Sequence, residues 1–237
     1  MLGILAFSVF KVKNMQRNLS DSRTRLTSNS FLALVAVLFF LSLGCNPLQA
    51  QEAGKYHYGV RSGLGMSTMS GFENNGLRFG VTAGIYGDYN LSDIDILTTE
   101  LYYSMGGQQQ EIWIERSSEK VKTYNRYRFH YLNIPFIYQH YFADILGVEG
   151  GLNFRYCLGG NVKTRIGNES WHTQQFSKSD YNSFDMGIII GVYTDNLIPH
   201  ENFFVSLRSY FGMIDVIRDV GSNKNISVYV GVGYQLH

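Results

Sequence analysis

Eight ionisable side chains stand out because each is flanked by uncharged neighbours: Arg61, Arg78, Asp88, Glu100, Glu149, Arg155, Asp185 and Arg208. Four arginines balance four carboxylates. If they share one enclosed space they must pair, since an unpaired buried charge costs far more than a paired one. Such a network could line a polar conduit, handle protons, or act as a salt-bridged plug. A second chemistry would need a nucleophile and a base. The histidines His57, His130, His140, His172, His200 and His237 are scattered, and only His130 can be placed level with a hydroxyl, that of Ser104. No Cys/His metal spacing, phosphate-cradling glycine loop or acidic calcium motif is present, so the sequence offers no catalytic, cofactor-binding or metal residues.

What would hold the eight charges together is a set of strands. In Tyr131 to Tyr141, read with period two, Leu132, Ile134, Phe136 and Tyr138 fall on one face, with Tyr131, Asn133, Pro135, Ile137 and Gln139 opposite. After a short break at Ala143-Asp144 the alternation resumes, with Val148, Leu152, Phe154, Tyr156 and Leu158 against Glu149, Asn153, Arg155 and Cys157. The same pattern occurs in Tyr56 to Ser67, Leu77 to Leu91, Leu97 to Met105, Phe184 to Tyr193, Phe203 to Met213 and Ile226 to Leu236. This predicts eight strands, each greasy on one face and polar, charged or glycine-bearing on the other.

Connection lengths suggest how the strands are joined. Those after strands one, three, five and seven are read as long and polar, with loops at Gly106 to Thr123 and Gly160 to Asn182, and those after two, four and six as short. An up-and-down barrel in an outer membrane predicts this asymmetry, with tight periplasmic turns and longer external loops. The greasy faces would then meet lipid, aromatics such as Tyr58, Tyr89, Tyr138 and Phe142 would sit at the headgroup level, and the charged faces would line a narrow lumen. Eight strands leave room inside for side chains and little else, which favours the plug over the conduit. A soluble barrel would invert this, but Gly59, Gly63, Gly80, Gly84, Gly151, Gly187, Gly191 and Gly231 lie on the polar face, where a narrow interior needs small residues.

Composition agrees. The 237 residues include 25 Gly, 17 Tyr, 16 Phe and 3 Pro, with a formal charge of +1, which points to an all-β chain and not to a nucleic-acid partner. Residues 1–50 differ: five basic residues from Lys11 to Arg25 precede the apolar run Phe31 to Leu43, too short to span as a helix, which needs about twenty residues. This reads as a secretory signal peptide cleaved after Ala50, with Met15 an alternative start, leaving a barrel domain at 51–237. Ser42-Leu43-Gly44-Cys45 also loosely matches a lipoprotein box, in which Cys45 would be acylated.

Tyr131-Leu132-Asn133-Ile134-Pro135-Phe136, preceded by Glu100-Leu101-Tyr102-Tyr103-Ser104 and a long polar stretch, resembles the PorT-type outer-membrane β-barrel family common in Bacteroidetes. The resemblance covers Tyr56 to His237. It departs from the family at Asn133, where Glu is common, and at the C-terminus, which ends Tyr234-Gln235-Leu236-His237 where an aromatic is usual. It implies outer-membrane lipid and the barrel-insertion machinery as partners, and an accessory role in a secretion or envelope complex. Two other roles stay open: a lipid-modifying enzyme and a small adhesin using the long loops.

Overall fold

The computed structural model describes residues 55–72, 74–116, 119–143, 145–195, 202–218 and 221–236. The expected signal peptide, Met15, Cys45, His200 and His237 lie outside the described residues. Ten strands follow in order: β1 Tyr56–Met69, β2 Asn75–Gly76, β3 Arg78–Asn90, β4 Asp95–Arg116, β5 Glu119–Ala143, β6 Leu146–Ile166, β7 His172–Gln175, β8 Phe184–Asp195, β9 Phe203–Asp215 and β10 Lys224–Gln235. Eight of them form an antiparallel ring, each paired with the next; β2 and β7 are short additions to the edges of β4 and β6. The ring closes where β10 pairs with β1, with Val60 opposite Tyr234 and Leu64 opposite Val230. This is an all-β, up-and-down antiparallel barrel. Closure is what allows strands to cross lipid, because an open edge would leave backbone N–H and C=O groups without partners.

Side-chain direction follows the alternation. Leu64, Phe79, Ile85, Leu101, Ile134, Phe136, Leu152, Ile188, Ile190 and Val230 are exposed on the outside, whereas Glu100, Asn133, Glu149, Asn153, Arg155, Asp185 and Arg208 are buried inside. A water-soluble protein could not sustain an apolar surface of that extent. Aromatic pairs rim the end where the chain starts: Tyr56 with Tyr89, and Phe203 with Tyr234, each at 4.8 Å between centroids.

The connections depart from the expected pattern. Gly106 to Thr123 is not a loop: β4 and β5 stay paired from Met105↔His130 to Arg116↔Glu119, leaving only 117–118 between them. Likewise β6 continues to Ile166 and pairs with β7 inside the stretch expected as a second loop. The asymmetry between the two ends is therefore carried largely by strand length. β5 has 25 residues, more than twice the about 9–11 a tilted strand needs to cross lipid. The surplus lies at the outer end, where the period-two contrast fades.

The lumen is closed at both ends. At the outer mouth Met69, Phe129, Tyr131, Cys157, Tyr181, Val216 and Ile217 form an apolar cluster. Its lid is chain folded back over the mouth: the Asn182 amide donates to the Val216 carbonyl (2.9 Å), and the Arg218 amide to that of Asp180 (3.0 Å). At the periplasmic end Ile96, Tyr141 and Tyr193 pack together.

Candidate functional site: the charged lumen

Between the two apolar clusters the inward faces of β1, β4, β6 and β9 converge on Arg208. Its guanidinium donates to Glu100 (Nη1 to Oε1, 2.7 Å) and grips both oxygens of Glu149, through Nη2 at 2.7 Å and through Nε. Arg61 approaches from the other side, donating to the same Glu100 oxygen and to the Ser206 hydroxyl (2.8 Å). Gln139 adds an amide donor to Glu149 at 3.0 Å. The result is a chain of alternating charge, Arg61, Glu100, Arg208 and Glu149, drawn from four strands. Glycine makes space for it: a Cβ on Gly191 would lie 2.7 Å from Glu149 Oε1, and one on Gly231 3.2 Å from Arg61 Nη2.

Arg155 forms a second centre nearer the outer mouth. Its guanidinium is sandwiched between the rings of Tyr131 and Tyr210, at 4.1 and 4.3 Å from their centroids, with Asp185 at 3.9 Å. Tyr210 donates its hydroxyl to the same Asp185 oxygen (2.8 Å). Beside it runs a line of amides: Asn153 donates to Asn133 (3.2 Å), and Asn133 donates to the Ser104 hydroxyl (2.9 Å).

Of the eight residues picked out in the sequence, six fall into these two centres. Asp88 stands apart, accepting a hydrogen bond from Thr98 at 2.6 Å. Arg78 is elsewhere: it lines an outer-face cavity with Phe79, Arg126 and Arg128. It is the first residue of β3, paired with Ser67 of β1 but ahead of the β3–β4 pairing that begins at Thr82↔Ser104, so the sheet holds it from one side alone. The aromatic clamp on Arg155 and the amide line were not readable, because an inward Tyr or Asn carries no charge to mark it.

The His130–Ser104 pair is not formed. Ser104 is buried inside with Asn133, whereas His130 has the outward parity of Leu132 and contacts the Tyr103 hydroxyl through Nδ1. Register puts Met105, not Ser104, opposite His130. Cys157 is buried in the outer apolar cluster.

A family model described as "outer membrane protein beta-barrel domain" matches residues 49–218, most of the chain. The chain belongs to this family. The outer membrane protein beta-barrel domain therefore accounts for the inverted polarity, and the cell outer membrane is where this protein resides. Solved structures give a matching outline at low identity. Ail, the attachment invasion locus protein of Yersinia pestis, is 14% identical over 78% of this chain and 100% of its own, with a TM-score of 0.43. Neisserial surface protein A is 13% identical, covering 75% and 96%, at 0.44. OprG from Pseudomonas aeruginosa is 15% identical, covering 81% and 100%, at 0.36. No match is found among curated proteins.

Proposed function

We propose that this barrel is a non-enzymatic membrane anchor that presents the β4–β5 hairpin outside the cell, as an accessory subunit of a secretion or envelope complex. The observation that carries this reading is the hairpin itself. It continues as paired strand well past the apolar belt, from Gly107↔Arg128 to its tip, and it holds an exposed Trp113. An exposed tryptophan on a rigid ribbon is a typical anchor for protein association. The lumen supports the non-enzymatic part, since its buried charges are engaged with one another and apolar clusters close both ends. The PorT-type resemblance at Tyr131 to Phe136 supports the accessory role and the relationship to that group.

The test is co-purification from detergent extract after cross-linking. The full chain is compared with one in which 112–123 is replaced by Asn-Gly, a dipeptide suited to a two-residue turn between the paired Glu111 and Tyr124. We expect the full chain to recover envelope proteins that the shortened chain does not. Equal recovery by both would remove the hairpin from the role. A small adhesin is the second reading, favoured by the same exposed tip; binding to foreign cells with no envelope partner recovered would select it. A lipid-modifying enzyme would instead require altered acylation of outer-leaflet lipid when the gene is deleted.

A further inference from the structure

Directly above the apolar belt, the outer face of the barrel turns basic. On β5 the outward parity runs Ile134, Leu132, His130, Arg128, Arg126, and β6 sets Asn161 opposite Arg128 and Lys163 opposite Arg126. From the β3 side Arg78 reaches the same place. Together Arg78, Phe79, Arg126, Arg128, Asn161 and Lys163 line a cavity of about 310 Å³. Four cations therefore face one concavity, and no carboxylate lines it.

Three observations mark the cavity as built for an anion. First, like charges are held together without compensation: among the described residues none of these four cations is in an ion pair. The nearest carboxylate on the β4 outer face, Glu111, is occupied by Lys122 at 2.6 Å. Second, the Nε atoms of Arg78 and Arg128 are buried without a hydrogen-bond partner. Third, the arrangement is braced. Trp171 stacks on Arg126 and Arg165, at 4.5 and 4.9 Å, fixing their planes. Gly107 clears the floor, since a Cβ there would meet Arg78 Cδ at 3.2 Å and the Tyr127 carbonyl at 2.1 Å. Confining four cations with no partner costs free energy that an anionic ligand would recover.

Position selects which anion. The cavity opens at the edge of the lipid-facing surface, with exposed Phe79 forming part of its wall and Leu132 two residues below His130 on the same face. Above it a second cavity of about 610 Å³ is lined by the amides of Asn75 and Asn125, the rings of Trp113 and Tyr124, and the charged Glu111 and Arg165, a mixture of stacking and hydrogen-bonding groups suited to sugar rings. An occupant matching all three levels has acyl chains, then phosphate, then saccharide. We propose that this rim is a binding site for the phosphorylated headgroup of an outer-leaflet glycolipid, with phosphate among Arg78, Arg126, Arg128 and Lys163 and acyl chains against Phe79 and Leu132.

The experiment uses the full chain in neutral detergent micelles and bis-phosphorylated lipid A as the probe, with dephosphorylated lipid A as its control. Binding is read by tryptophan fluorescence and by lipid retained on immobilised protein. We expect R126Q/R128Q to weaken binding by about thirtyfold, at the usual worth of two membrane-surface cations. Dephosphorylated lipid A should bind as weakly to the unaltered chain, and K178Q, outside both cavities, should bind as the unaltered chain does. Millimolar inorganic phosphate should not displace the lipid. Equal binding of the two lipids, or unaltered affinity in a folded R126Q/R128Q, would overturn the proposal. So would displacement by phosphate, or equal binding of a sulfated polysaccharide lacking acyl chains. Should R126Q/R128Q not fold, salt titration of the unaltered chain decides: affinity must fall as salt screens the arginines, and salt-independent binding overturns the proposal.

Discussion

Arg208 is the side chain on which most of the lumen depends, because among the described residues it alone pairs with both Glu100 and Glu149. Arg208→Ala leaves those two carboxylates facing each other inside the barrel, and we expect a loss of about 3–5 kcal/mol in urea unfolding from lipid vesicles. The double variant Arg208→Met, Glu149→Gln removes one charge of each sign and leaves the Arg61–Glu100 pair in place, so it should unfold closer to the unaltered protein. If the single variant were as stable as the double one, the network would not be holding the lumen. A different carboxylate matters at the periplasmic turn. Asp95 accepts hydrogen bonds from the Tyr138 hydroxyl, from the His140 ring at 2.8 Å and from the Ser92 hydroxyl at 2.7 Å, which pull its carboxyl from 3.8 down to about 2. The folded value is the lower one, so this stabilisation is complete above the ordinary carboxylate range and disappears as pH falls toward 2. Asp95→Asn should therefore cost stability near neutrality and converge on the unaltered protein as pH falls toward 2, flattening the profile across that acid window. At this scale parity alone places the charges of the two centres inward, and it fails at Arg78. It does not show which pair with which, because partners such as Arg61 and Glu100 lie on strands that are not sequence neighbours in the lumen.

Each spanning strand reads clearly in the sequence because a membrane imposes contrast: one face in lipid, one in the lumen. Ile134 shows the cost of violating it. Flanked in register by Phe154 on β6 and lying on the outer belt, Ile134→Arg should destabilise the barrel by about 2–4 kcal/mol in the same unfolding assay. Replacing the hairpin tip 112–123 should shift the unfolding midpoint little, since the tip touches a third strand only near its base, where Thr123 pairs with Ile166 of β6. The tip reads as a loop for the same physical reason that the spans read clearly. Gln108-Gln109-Gln110 and Glu115 to Lys120 are polar at successive positions, so no apolar alternation is there to detect, although backbone pairing continues and Gln108 and Thr123 are buried. The shift of register at His130/Tyr131, beside Gly159, lies close to where that transition occurs.

As a whole the barrel is a filled cylinder. Arg155, Tyr131, Tyr210, Asn133 and Asn153 are among its largest fully buried side chains, and apolar clusters stop both mouths. Reconstituted into a planar bilayer, it should show no conductance steps of porin size; sustained large steps would mean that the outer lid formed by 177–182 and 216–218 opens. The closed ring and its polarity were legible from eight alternating segments, whereas the lid was not, since its sequence has the composition of any surface loop.

The seam between β10 and β1 also governs how the barrel must assemble. The first spanning strand waits, with one ladder of hydrogen-bonding groups bare, until the last is delivered, so the rate should be set by the longest sequence separation in the molecule. A chain arrested before Lys224 would carry two open edges and be prey to envelope proteases, which makes the twelve residues of β10 a checkpoint on manufacture as much as a wall of the finished barrel.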